Sequence, residues 1–217
     1  NMAVDKQALI DAFLGGRGLP ISQLQCDQSF AYAPDLTGYD YDPEQARALL
    51  DEAGVPEGAK MTIDYRAGNS TFNEVAQALT GFFGQVGLNV GLNPIGDGVF
   101  LNEIVPEGRT NEMFQFSWGG WTFDLDNTAY LSYHNGEKRN PYGTSDEMNA
   151  LLEEQRETSE VEEREAILRD VTRLAHEEAY HIPLYVEDQI YAVSNRVENF
   201  VPAPDIRLRL VDVAVTE

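Results

Sequence analysis

The sequence is short of positive charge: fifteen Lys and Arg stand against thirty-seven Asp and Glu, a net charge of −22. Surfaces that recognise nucleic acid cluster Lys and Arg against phosphates, so nucleic acid is not an expected partner, and anionic membrane surfaces are disfavoured for the same reason. No apolar run approaches the roughly 18 residues that a spanning helix needs, so direct membrane insertion is not expected. No signal-peptide pattern is present, and the opening NMAVDKQALI reads as the inside of a helix, as if the chain began mid-protein. Cys26 is alone, which excludes an intrachain disulfide and leaves the redox compartment unread. At 217 residues the chain forms one large domain or two small ones, with room for a substantial core.

Familiar catalytic patterns are also missing. No Gly-Lys-Ser/Thr occurs, hence no phosphate loop, and no G-x-S-x-G places a hydrolase serine. His176 and His181, in HEEAYH, are one residue too far apart for the zinc-protease pattern and would lie roughly 140° apart around a helix. They read better as solvated or capping histidines. DLDN at 124–127 imitates the start of a calcium loop, but the Gly and Glu that such a loop requires are replaced by Ala129 and Asn135. On an extended chain Asp124 and Asp126 point to opposite sides, which makes a poor acid/base pair. No catalytic residue, cofactor or metal is therefore expected, and Cys26 is a spare thiol.

What is present is an alternation of helix and strand patterns. Met2, Leu9, Ile10, Phe13 and Leu14 carry a first helix that Gly15-Gly16 stops. Residues 15–41 read as a long ordered loop. Asp42-Pro43 supplies an N-cap and a first-turn proline, and Ala46, Leu49, Leu50 and Ala53 would face the core. KMTIDYR at 60–66 alternates as a strand. Phe72, Val75, Ala76, Leu79, Phe82, Phe83 and Val86 recur at helical spacing, and Leu88–Leu92 reads as the next strand. Such a β-α-β unit implies parallel strands with a right-handed crossover. A short helix follows around Val99–Val105. Beyond a polar loop at Ser132–Thr144, Ser145 caps one helix, and Ser159 with Glu162 fits a capping box for a longer one whose Glu/Arg face is read as solvated. Three strands are expected near the end, at His181–Val186, Gln189–Val193 and Ile206–Val215, with a Pro-rich turn at 200–205.

The stretch most suggestive of a site is Met113–Asp126, MFQFSWGGWTFDLD. Phe114, Phe116 and Trp118 share one face of a strand, and Trp118 is read as core with its two neighbours. Gly119-Gly120 then permits a sharp bend or a close approach to a ligand, and Trp121 and Asp124 follow. A core strand ending in a plain turn is the alternative. Arg139 and Tyr142, in the polar loop, are read as surface decoration or a rim.

The order of these pieces resembles the C-terminal lobe of the extracytoplasmic solute-binding proteins of ABC importers, in the family of oligopeptide, dipeptide, nickel and cellobiose binders. NMAVDKQALIDAFLGGRG resembles the family's A-x-D-(R/K)-x-x-(I/L) helix. YDYDPEQARALLDEAGV resembles its Y-D-P-x-x-A-x-x-L-L-x-x-A-G helix, the most diagnostic match, and GGWTFDLDNTAYL resembles W-x-x-D-x-x-(D/E)-P. The resemblance spans nearly the whole chain. It implies an α/β fold, a periplasmic-binding-protein type II-like lobe with a mixed, mostly parallel sheet flanked by helices. Residues 1–217 would be a single C-terminal ligand-binding lobe, a fragment of a larger two-lobed clamp whose N-terminal lobe is absent. Its implied function is non-enzymatic capture of di- or oligopeptides, or a similar small solute, in an inter-lobe cleft for delivery to ABC permease membrane subunits. The location would be periplasmic, or lipid-anchored outside the cytoplasmic membrane. Asp124 falls on the aspartate that pairs with a peptide's terminal ammonium. Gly120, Trp121 and Thr122 fall on the segment whose backbone pairs with an extended peptide. Glu187, with Tyr185, lies near a position that sometimes reaches the ligand. The family's Pro after the acidic pair is absent here. A ligand-sensing module of a regulator, and a carboxylate-dependent hydrolase, are the rival readings.

Overall fold

The computed structural model describes residues 1–118 and 122–216. Its organising unit is β-α-β. Strand β2 (Ala59–Arg66) leads into helix α3 (Ser70–Gln85), whose first turn is capped by Asn69 accepting from the Phe72 amide, and then into β3 (Leu88–Ile95). The two strands are parallel over their full length, from Ala59 opposite Leu88 to Arg66 opposite Ile95. Val75, Ala76, Leu79 and Phe83, at helical spacing on α3, are all buried. They meet Ile63 of β2, Val86, and Ala3, Val4 and Leu9 at the start of helix α1 (Lys6–Phe13). Fully burying side chains of this size stabilises by about 1.5–3 kcal/mol each. Helix α2 (Pro43–Glu52) starts on Asp42, which accepts from the Gln45 amide, with Pro43 in its first turn. Ala46 and Leu50 pack on this core, whereas Leu49 is 46 % exposed and Ala53 is exposed, so the helix rests on two of its four expected contacts.

Strand β4 (Met113–Phe114) adds to the other side of β2, parallel, giving the order β3-β2-β4. It is far shorter than the Met113–Trp118 strand expected. Pairing stops because only Met113 and Phe114 face β2, after which a single amide bond from Gln115 to the Asp64 carbonyl continues the edge. Between β3 and β4 the expected short helix is present as α4 (Asp97–Val99) running into a π-helical turn, Phe100–Ile104.

A second core is helical. Helix α5 (Leu125–Tyr133), which the sequence reading left unassigned, packs with α6 (Asp146–Glu157) and α7 (Val161–Glu177) through Leu125, Ala129, Tyr133, Met148, Leu152, Leu168, Val171 and Ala175. Ser145 caps α6 as expected, accepting from the Met148 amide. The capping box does not form. Helix α7 starts on Glu160 with no side-chain cap, because the chain leaving α6 is turned by Thr158, whose hydroxyl bonds back to the Glu154 carbonyl.

The 15–41 loop is ordered by its own bonds, Gln23 exchanging two hydrogen bonds with the backbone of Ala33. It also contains β1 (Gly18–Pro20), paired antiparallel with β5 (Tyr185–Glu187). At Gly18 the strands approach so closely that a Cβ would stand 2.7 Å from the Val186 carbonyl oxygen. The three strands expected near the end shrink to β5 and to a two-residue pair, β6 (Val197–Glu198) with β7 (Ala214–Val215). Residues 189–193 form no strand, and Ile206, Leu208 and Leu210 are each more than half exposed.

Candidate functional site

The segment singled out in sequence is held at both ends. On one side β4 fixes it to the sheet, at the carboxyl end of a parallel strand, the edge at which open α/β sheets bind ligands. Gly120 and Trp121, two of the candidate ligand residues, lie outside the described residues, as does Gly119. On the other side Thr122 is exposed. Phe123 takes a left-handed backbone (φ 52°), unfavourable for an aromatic residue, and its carbonyl accepts the Phe30 amide at 2.7 Å.

Asp124 ends the segment and starts α5, its carboxylate accepting from the Asp126 amide at 3.0 Å. Arg164 of α7 grips the same carboxylate with both terminal nitrogens, each bond 2.8 Å, in the parallel fork that makes Arg–carboxylate pairs strong. The guanidinium lies over the Phe30 ring and donates its third bond, from Nε, to Gln155 at 3.1 Å. Asp126, two residues along, is held likewise by Arg156, whose guanidinium covers Tyr130, and by the Gln155 amide. The two aspartates therefore face basic partners on α6 and α7, not opposite sides of an extended chain. Burial alone would raise the Asp124 pKa; the Arg164 bonds, the Asp126 amide and the Arg164 charge outweigh it and hold the carboxyl below its ordinary range. It is ionised at neutral pH.

Arg164 was hidden in sequence by its setting, a Glu/Arg-rich helix face read as solvated. Arg164 turns inward to Asp124 and Arg169 to the Tyr32 carbonyl.

The remaining candidates scatter. Glu187 is exposed on β5, opposite Gly18, and lines an open hollow with Phe13, Arg17 and Asp188; no bond joins it to Asp124. Tyr185 packs against the sheet core. Trp118 is 40 % exposed, which corrects its reading as core: once the chain leaves β2, the face it shares with Phe114 and Phe116 is uncovered at its far end. The histidines are also corrected. His176 stacks on Tyr39 at 4.5 Å, and His181 stands edge-on to Tyr133 with a buried, unpaired Nδ1, its pKa pushed by burial down to about 4. Among the described residues no group of three or more His, Cys, Asp or Glu side chains could hold a metal ion, and no helix is long and apolar enough to cross a membrane.

A family model for bacterial extracellular solute-binding proteins, family 5 (middle region), matches residues 1–140. The glutathione-binding protein GsiB of Salmonella choleraesuis is 25 % identical over 218 residues, covering 94 % of this chain and 41 % of GsiB. Heme-binding protein A of Haemophilus influenzae is 28 % identical over 212 residues, covering 94 % and 38 %. The chain thus spans about two-fifths of the length of these curated relatives. Among solved structures, the substrate-binding protein CtaP of Listeria monocytogenes superposes with a TM-score of 0.87 at 21 % identity, over 100 % of this chain and 46 % of CtaP. DppA of Helicobacter pylori, solved with the peptide STSA, superposes with 0.76 at 24 % identity, over 85 % and 36 %. The fold is the expected α/β lobe of type II periplasmic binding proteins.

Proposed function

The chain belongs to the bacterial extracellular solute-binding proteins of family 5, and on that premise we propose that it is a ligand-binding lobe of an ABC importer's capture protein, taking peptides or a similar small solute. The observation that carries this reading is the anchoring of the chain on either side of the candidate segment: β4 pairs Met113 and Phe114 with the sheet before it, and the Arg164–Asp124 fork holds the chain after it. Gly120, Trp121 and Thr122 pair with the peptide's main chain, and Asp124 attracts the ligand's ammonium end. Because Arg164 already grips Asp124, the carboxylate acts first as the holder of the segment and second as a charge for the ligand. Glu187 contributes at the periphery. The full-length protein works outside the cytoplasmic membrane and hands its solute to permease subunits; no group suited to turnover is involved.

Calorimetry on the full-length protein, with peptides whose amino terminus is free or acetylated, tests the reading. Asp124→Asn keeps the cap but removes the charge, and is expected to weaken free-amino peptides by about 10–100-fold, the range of one charge-assisted bond, and acetylated ones much less. Equal losses for both would leave Asp124 as a holder only. Absence of binding by every peptide would refute the peptide reading.

A further inference from the structure

The face leading into the mounted segment is an aromatic wall. From the end of β4 onward, Phe114, Phe116 and Trp118 stand two apart on one side of the chain, with ring centroids 6.2 Å and 5.6 Å apart in succession. Phe100 backs Phe116 at 6.3 Å, and Tyr142 flanks Phe114 at 6.2 Å. The outer members are open: Trp118 is 40 % and Tyr142 52 % exposed. The wall is also rigidly founded. Asp64, buried in β2, accepts from the Asn111 amide, the Asn111 side chain and Asn93 at 2.6–2.7 Å, and Asn111 in turn accepts the Tyr142 hydroxyl on its carbonyl.

At its open end Arg139 lays its guanidinium over the Trp118 ring, 5.7 Å from the centroid. Arg156 and Arg164 stack on rings in the same manner, but each is paired with an aspartate. Arg139 has no carboxylate within 4.0 Å among the described residues. A guanidinium with no carboxylate partner among the described residues, beside an exposed indole, gives an anion a local attraction on a chain whose net charge of −22 otherwise repels it. The indole contacts the guanidinium, and among the described residues no hydrogen bond occupies the fork's donors, which suit a carboxylate.

We propose that Trp118 and Arg139 form a subsite for a planar carboxylate: a flat unsaturated ring face lies against the Phe116–Trp118 wall while its acid group takes the Arg139 fork. The subsite names a ligand class for the proposed binding lobe and rests on that reading only in lying just beyond β4, beside the candidate segment. Aliphatic acids gain the ion pair alone, and neutral rings the stacking alone.

The test uses the full-length protein and three probes: 2-naphthoate, 2-naphthamide and cyclohexanecarboxylate. NMR titration follows the indole N–H signal of Trp118. 2-Naphthoate is expected to shift that signal and to bind on the order of tenfold more tightly than either other probe. Arg139→Gln should equalise naphthoate and naphthamide; Trp118→Ala should equalise naphthoate and cyclohexanecarboxylate. Arg139→Lys, which keeps the charge and loses the fork, should fall between. Trp118→Phe should retain part of the ring preference and serves if the alanine variant fails to fold. Equal binding of all probes, unchanged preferences in the variants, or a Trp118 signal that no probe moves because the rest of the protein covers the wall, would each overturn the proposal. Peptide binding without probe discrimination would sink the subsite alone; probe discrimination without peptide binding would sink the peptide reading alone.

Discussion

Arg164→Met tests whether the Asp124 fork carries the mounted segment. The substitution keeps most of the apolar stem over Phe30 and removes both 2.8 Å bonds together with the charge. Removing one partner of a fully buried pair costs about 3–5 kcal/mol, and exposed pairs are worth about 0–1 kcal/mol. Here the Arg164 and Asp124 side chains are 24 % and 31 % exposed, an intermediate case. We therefore expect a loss of about 1–3 kcal/mol. Asp124→Asn should preserve the cap on α5, since Asn caps as well as Asp, while leaving Arg164 unpaired. The double variant removes both charges, so a double-mutant cycle should return a coupling of about 1–2 kcal/mol. Urea unfolding of the four proteins at neutral pH, at low and at high salt, measures it. A coupling below about 0.5 kcal/mol, or one abolished by salt as for solvated charges, would refute the reasoning and leave the Asp124 carboxylate free of its own lobe.

Other perturbations follow from the same contacts. His181 has an unfolded-state pKa of 6.5 and a folded value of about 4, so the unfolded chain binds the extra proton first. Stability should be flat above pH 6.5 and fall by about 3 kcal/mol as the pH drops toward 4, and His181→Phe should remove that slope in pH-dependent urea midpoints. Asp64→Asn puts an amide donor among three donors that the carboxylate now satisfies and should cost about 2–4 kcal/mol, read by the same unfolding assay. Leu168→Ala, at a fully buried site in the helical core, should cost about 2–5 kcal/mol; a loss under 1 kcal/mol would mean that the helices are not packed as described.

The β-α-β unit was legible because its periodicity is redundant: seven apolar positions on one helix face, a strand on either side, and Gly87 at φ 89° closing the helix. Asp42-Pro43 likewise announced α2 by cap chemistry alone. Helix α5 is harder to see in sequence because Asp124 serves as both its cap and a candidate site residue, although Leu125, Ala129 and Tyr133 repeat every four residues behind it. The end of the chain misled for a different reason. Alternation in Ile206–Val215 marks residues able to line a strand, but a strand also needs a neighbour to bond, and only Ala214–Val215 has one. Trp118 failed for a similar reason, since sharing a face with Phe114 guarantees burial only where β2 still runs alongside. The Arg164 fork was beyond sequence reading altogether. It joins residues 40 apart, and nothing local distinguishes that arginine from its solvated neighbours on α7.

The most direct measurement is hydrogen exchange on the full-length protein, with and without a peptide that binds it in calorimetry. Slowed exchange at the backbone amides of residues 120–124 is expected when the peptide is added, because under the proposed reading its main chain bonds there. Unchanged exchange across those residues, with protection appearing elsewhere in residues 1–217, would contradict it.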